Sequence, residues 1–175
     1  MAVTAKGTPY VESSDLVANY PGVSLALANH IDTSTGKVLQ VVRATDVTQR
    51  STTSTSFVDV TGMSVSITPQ KSDSNLLIIA VGQALSSNGA GDNRVIIQIT
   101  DSANTTLSGA EIMGFGRSTS PSGLFSMNMN TWGWVAAAST AVRTYKLRFR
   151  VPASGIGYIS NSDTTGQLFA IEVAA

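Results

Sequence analysis

Two hydrophobic rhythms divide the chain. Between Thr8 and Asp32, in TPYVESSDLVANYPGVSLALANHID, apolar residues stand at Val11, Leu16, Val17, Val23, Leu25, Leu27 and Ile31. Val23, Leu27 and Ile31 recur at four-residue spacing, which lines one face of a helix. Pro21 suits the first helical position, where its missing N–H leaves nothing unpaired. The pattern predicts a helix from Pro21 to about Ile31, capped by Asn19 or Tyr20, with an earlier turn at Ser13, Ser14 and Asp15. Thr33 to Gly36 then unwinds it. An arm of this size cannot bury its own apolar residues, so it needs another surface: its own sandwich, sister chains or a larger assembly.

From Gly36 the period changes to two, in short runs of Val, Ile, Thr and aromatics separated by Gly, Asn, Ser and Pro. KVLQVVRAT (Lys37 to Thr45) is the first predicted strand. SFVDV (Ser56 to Val60) follows, with Gly62 as a break, and then MSVSITP, in which Met63, Val65 and Ile67 alternate with polar residues until Pro69 ends the run. LLIIAVGQAL (Leu76 to Leu85) is an apolar run whose length alone would also allow a helix, but its β-branched centre and turn-rich flanks predict a strand buried on both faces. RVIIQIT (Arg94 to Thr100) is expected to pair with it through the SSNGAGDN turn. TWGWVAAAS is ambiguous, since Ala136, Ala137 and Ala138 would also suit a helix. YKLRFRV sets Tyr145, Leu147, Phe149 and Val151 against Lys146, Arg148 and Arg150, and LFAIEVAA sets Phe169, Ile171 and Val173 against Ala170 and Glu172. About eight to ten strands at this spacing predict an all-β fold, an antiparallel jelly-roll-like β-sandwich over residues 36–175, preceded by a helix-containing arm over residues 1–35.

Composition changes this picture in two ways. Charged residues make up 13% of the chain, with eleven basic balanced by eleven acidic, against a usual share of about 25%. That argues against nucleic-acid binding and for a surface partly covered by identical neighbours, because charge is depleted at the centre of interfaces. Roughly a quarter of the residues are Ser or Thr, an uncharged polar coat. The absence of cysteine excludes disulfides and thiolate metal sites. No run reaches the roughly 20 apolar residues of a membrane span, and MAVTAKG lacks an apolar run of signal-peptide length, so cytoplasmic synthesis without membrane insertion is expected.

GTPYVESSDLVANYPGVSLALANHID resembles the N-terminal segment that recurs in tail-fibre and other virion structural proteins of tailed bacteriophages, particularly those infecting cyanobacteria and marine bacteria. GKVLQVV, then STTSTSFVDVTGMSVSITP, YKLRFRV and the closing LFAIEVAA are similar to a small β-sandwich module of the same proteins. The resemblance implies a non-enzymatic virion component, a homotrimer attached by its N-terminal part. Leu16, Val17, Tyr20, Val23, Leu27 and Ile31 are then the expected attachment residues, and other virion proteins of the tail, baseplate or capsid the partners.

Candidate chemistry is thin. His30 is the single histidine, so any catalytic triad would have to be built on it, and its place in the arm favours an ordinary helix-end or interface residue. Asp59, Asp92, Asp101, Glu111 and Asp163 are scattered, and no spacing brings two of them together as glycoside hydrolysis requires. GFGRSTSPSG (Gly114 to Gly123) lacks the strand-to-helix context of a phosphate loop, and NGAGDN (Asn88 to Asn93) lacks the acidic density of a calcium loop. They read as a surface loop and a hairpin turn. No catalytic residue, metal or cofactor is expected.

The aromatics offer one binding reading. Trp132 and Trp134 are two apart, so on a strand they share a face and, if exposed, can stack on a host-surface glycan. Tyr158, Asn128, Asn130 and Arg117 are candidate neighbours. The flanking VAAA favours the plainer alternative, a core or subunit-interface pair. Two roles follow from these observations: a trimeric tail-fibre or baseplate-attached protein displaying the sandwich to the host, or a capsid decoration or head-fibre protein stabilising the shell.

Overall fold

The computed structural model describes residues 2–3, 9–10, 20–32, 36–87, 94–110, 113–115, 125–152 and 155–175. The chain divides into two compact units after Lys37, two residues beyond the boundary read from the sequence. In the first, β1 (Ala2–Val3) pairs antiparallel with β2 (Pro9–Tyr10), and α1 spans Tyr20–Asp32. The helix covers the predicted range, with Pro21 in its first turn. Thirteen residues is close to the length below which an isolated helix is marginal in water.

The second unit is an antiparallel sandwich. Its strands are β3 (Val38–Asp46), β4 (Arg50–Thr52), β5 (Val58–Ile67), β6 (Asn75–Ser87), β7 (Val95–Asp101), β8 (Met113–Phe115), β9 (Phe125–Ala136), β10 (Arg143–Arg150), β11 (Ile156–Ile159) and β12 (Gly166–Val173). One sheet has the order β5-β10-β7-β8. The other runs β3-β12-β6-β11-β4, with β9 along the opposite side of β6. Strands nest first with last: β3 beside β12, β5 beside β10, β6 beside β9, β7 beside β8. A long hairpin rolled into two sheets gives this order.

The core lies between the sheets. Met63, Val65 and Ile67 of β5, Val95, Ile97 and Ile99 of β7, and Tyr145, Leu147 and Phe149 of β10 face Leu76, Ile78 and Ala80 of β6 and Leu168 and Ala170 of β12. Burying each large side chain contributes about 1.5–3 kcal/mol. The YKLRFRV alternation therefore has the predicted register.

Three expectations are corrected and one open reading is decided. β6 is buried on one face only: Leu76, Ile78 and Ala80 point in, whereas Leu77 and Ile79 are half-exposed and Val81 is exposed. β7 does not form a hairpin with β6 but joins the other sheet, between β10 and β8; NGAGDN itself lies outside the described residues. Gly62 does not separate two strands. It sits inside β5 at φ +91°, at a bulge opposite Leu147, and a Cβ there would stand 2.7 Å from the Asp46 carboxyl carbon. The TWGWVAAAS segment is strand through Ala136 rather than helix.

Two buried carboxylates pin the sandwich. Glu172 points inward from β12 and is fully buried. It accepts hydrogen bonds from Ser74 Oγ (2.6 Å), Gln40 Nε2 (2.6 Å), Gln70 N (2.9 Å) and Lys71 N (3.1 Å), tying the loop before β6 to β3 and β12. Burial alone would raise its pKa, but these bonds, led by Ser74, outweigh burial and hold it below the ordinary glutamate value. Asp46 accepts from Asn161 Nδ2 (2.9 Å) and pairs with Arg50 (3.2 Å). There too burial raises the pKa, and the Asn161 and Arg50 bonds bring it below the ordinary value.

Candidate functional site

The outer face of the six-stranded sheet carries the side chains that the core rejects. Odd positions of β6 and β12 and even positions of β9 point outward, and the register lines them up in rows across four strands. One row reads Trp134, Leu77, Ile171, Val41; the next reads Trp132, Ile79, Phe169, Arg43; the third reads Asn130, Val81, Gln167, Thr45. Beyond the first row Val173 lies opposite Val38. Trp132 is 56% exposed, Trp134 43% and Val41 57%, while Leu77, Ile79, Phe169, Ile171 and Val173 are half-buried. The face thus has an apolar end and an amide-rich end, with Trp132 between them.

The tryptophan pair is therefore on one face, as expected, and it is not a core pair. The segment after β7 runs along the edge of β9, where Trp134 N donates to Ser108 O at 3.1 Å. Gly109, at φ +83°, lies beside the indole, where a Cβ would stand at an ordinary contact distance of 3.8 Å from Trp132 Cζ3. Asn128 and Asn130 share the outer face of β9 with the pair and are exposed. Tyr158 is on the same sheet, half-buried opposite Leu85. Trp132 is opposite Ile79, six residues up β6, so Tyr158 is roughly 20 Å away and does not join the pair. Arg117 lies outside the described residues.

A groove of about 530 Å³ opens at the amide-rich end, lined by Val81, Gly82, Asn128, Met129, Asn130, Thr164, Thr165 and Gln167; Trp132 is outside this lining, one outward position along β9 from Asn130. It exists because β6 changes partners there: β12 pairs with it as far as Val81 and β11 from Ala84, and the turn between β11 and β12 fills the interval. Thr164 and Thr165 come from that turn and Gln167 from the start of β12, and none of the three was identified in the sequence. Their signal, the polar string SDTTGQ, looks like any surface turn until the pairing of β6 is known.

The expected acids do not converge among the described residues. Asp59 lies on the other sheet's outer face, paired with Arg148 Nε (2.8 Å) and Lys146 Nζ (2.9 Å). Asp101 caps its own turn by accepting from Ala103 N and Thr105 N, and Asp163 accepts from Ser160 Oγ. Asp92, Glu111 and most of GFGRSTSPSG lie outside the described residues. No group of three or more His, Cys, Asp or Glu that could hold a metal ion occurs among the described residues.

Of the arm's expected attachment residues, Leu16 and Val17 lie outside the described residues. Tyr20, Val23, Leu27 and Ile31 fall within α1, where Leu27 is half-buried and Leu25 is 63% exposed; the side chains of Tyr20, Val23, His30 and Ile31 are outside the described set. No helix among the described residues is long and apolar enough to cross a membrane. No protein-family model matches the chain, and no curated protein matches it.

Proposed function

We propose that the protein is a non-enzymatic structural component of a tailed-phage virion, a homotrimer that docks through residues 1–35 and turns its sandwich toward the host surface. The observation that carries this reading is the apolar end of the six-stranded sheet's outer face. Trp134, Leu77, Ile171, Val41, Val173 and Val38 form one continuous surface in a chain with only 13% charged residues. Continuous apolar surface of this kind marks an interaction site. Copies of the same chain are the occupant it suits, because an apolar, uncharged patch offers a like chain no charge repulsion, and a closed ring repeats the same contact on every subunit. The separate N-terminal unit, with Leu25 exposed on a helix of marginal length, suits an arm that gains order on a second partner.

Deleting residues 1–35 tests the attachment half. The truncated sandwich is expected to fold and to remain trimeric but to be absent from purified particles. Loss of solubility, or a much lower melting temperature, would mean instead that the arm completes the sandwich core. Electron microscopy of particles carrying labelled protein separates the two locations: label on the tail supports host attachment, and label over the shell assigns the same trimer to capsid decoration.

A further inference from the structure

We propose that the groove beside Trp132 binds a neutral oligosaccharide, with one sugar ring stacked on the Trp132 indole and its neighbour's hydroxyls held by Asn130, Gln167 and Thr165. This gives the host-contact reading a ligand and rests on that reading. The two parts of the site are close enough to share a ligand, since Trp132 and Asn130 are successive outward residues of β9, about 7 Å apart along the strand. A groove of about 530 Å³ falls within the size range of small-molecule sites.

The lining sets the ligand class. Among the described residues, no charged side chain contributes to it. Its polar groups are amides and hydroxyls, which both donate and accept and so match sugar hydroxyls, which do the same. An acidic polymer would find no cation in the groove. The nearest one on the same face, Arg43, is engaged in holding Gln167 Oε1 at 3.4 Å, which leaves the Gln167 amide nitrogen to serve as a donor. At the groove floor Gly82 puts no side chain between the groove and Asn161 Oδ1, a buried oxygen without a hydrogen-bond partner, 3.6 Å from where a Gly82 Cβ would stand. The stacking surface is open. Gly109 lies to one side of the indole, and Trp132 is 56% exposed, which leaves an aromatic face for a sugar ring to stack on.

The proposal also divides labour between the tryptophans. A neighbouring subunit that covers the row of Trp134, Leu77, Ile171 and Val41 leaves Trp132 and the amide row at the rim of the interface, open to a ligand.

Calorimetric titration of the full-length protein tests this, with a panel of neutral oligosaccharides (hexose, N-acetylhexosamine and deoxyhexose polymers of four to six units) and an oligogalacturonate as the anionic comparator. At least one neutral sugar is expected to bind and the oligogalacturonate not to. Trp132→Ala is expected to weaken binding about tenfold or more, Asn130→Ala and Gln167→Ala each about fivefold, and Trp134→Ala less than about twofold. Light scattering on the same samples keeps the two readings apart. A trimer that binds no sugar of the panel, prefers the anionic one, or binds equally well as Trp132→Ala overturns the groove and leaves the assembly standing. A monomer that binds sugar with the stated pattern supports the groove and removes the assembly.

Discussion

The two outer faces of this sandwich are built on the same inward pattern and end in opposite chemistry. On β10 the outward residues are Thr144, Lys146, Arg148 and Arg150; Ser66 Oγ and Thr144 Oγ1 lie 2.8 Å apart across to β5, and Asp59 joins Lys146 to Arg148. Over β5 and β10 that face is a hydroxyl and ion-pair coat, while the outward residues of β7, Ile96, Gln98 and Thr100, are buried. On β12 the outward residues are Gln167, Phe169, Ile171 and Val173, while the strand's one carboxylate, Glu172, is inside. One alternation therefore hides apolar residues and shows charge, and the other hides charge and shows apolar residues. Within one chain, the face that cannot be left to water is the one with a partner to find.

The largest effect tests whether the inward halves of the two faces are equivalent. Phe149 is buried on β10, and Phe149→Ala is expected to cost about 3–5 kcal/mol, read as a large drop in thermal or denaturant midpoint. Lys146→Ser and Arg148→Ser on the opposite side of the same strand are expected to leave the midpoint nearly unchanged. Equal melts for Phe149→Ala and Arg148→Ser would mean that the strand's register is wrong.

Next in size is the inverted position, Glu172. Glu172→Gln keeps the shape but turns one acceptor into a donor facing Ser74, Gln40 and the Gln70 and Lys71 amides, at an expected cost of about 1–3 kcal/mol. Because the folded pKa values of Glu172 and Asp46 lie below their ordinary values of 4.5 and 3.8, the stability they supply is fully present above the ordinary carboxylate range. It is lost as pH falls through the depressed folded values. Melting temperature measured from about pH 7 down to about pH 3 should fall most steeply at the acid end in wild type and less steeply in Glu172→Gln. Identical slopes would show that Glu172 is not ionised in the fold.

The smallest effect belongs to the charged face. Asp59 bridges Lys146 and Arg148, but its side chain is 49% exposed, so Asp59→Asn is expected to change stability by about 0–1 kcal/mol and less as salt rises. A larger, salt-independent loss would mean that this face, too, is covered.

The pattern of residues along the chain was enough for the inward side of β5 and β10, because Met63, Val65, Ile67, Tyr145, Leu147 and Phe149 alternate with polar residues and one face of each strand has a single plausible direction. It was not enough for β6. Leu76 to Val81 are all apolar, and period alone cannot tell a strand buried twice from a strand that shows Leu77 and Ile79 to a partner. Pairing was likewise hidden where it is long-range: β7 pairs with β10 and β8 rather than with β6, and the groove depends on the change of β6 partner from β12 to β11. The Trp132 and Trp134 pair was visible from its spacing of two, but its exposure was not. Gly62 shows the reverse problem, a glycine whose meaning is a positive φ against Asp46 rather than the end of a strand.

Light scattering on the full-length protein, beside the double variant Val41→Lys with Trp134→Lys, tests most directly whether the apolar outer face is an assembly surface. Both residues are exposed in the single chain, so the variant is expected to fold, with a mass of 18.2 kDa, whereas wild type gives about three times 18.2 kDa. A wild-type protein that stays at 18.2 kDa at every concentration, or a double variant that remains trimeric, would contradict the account.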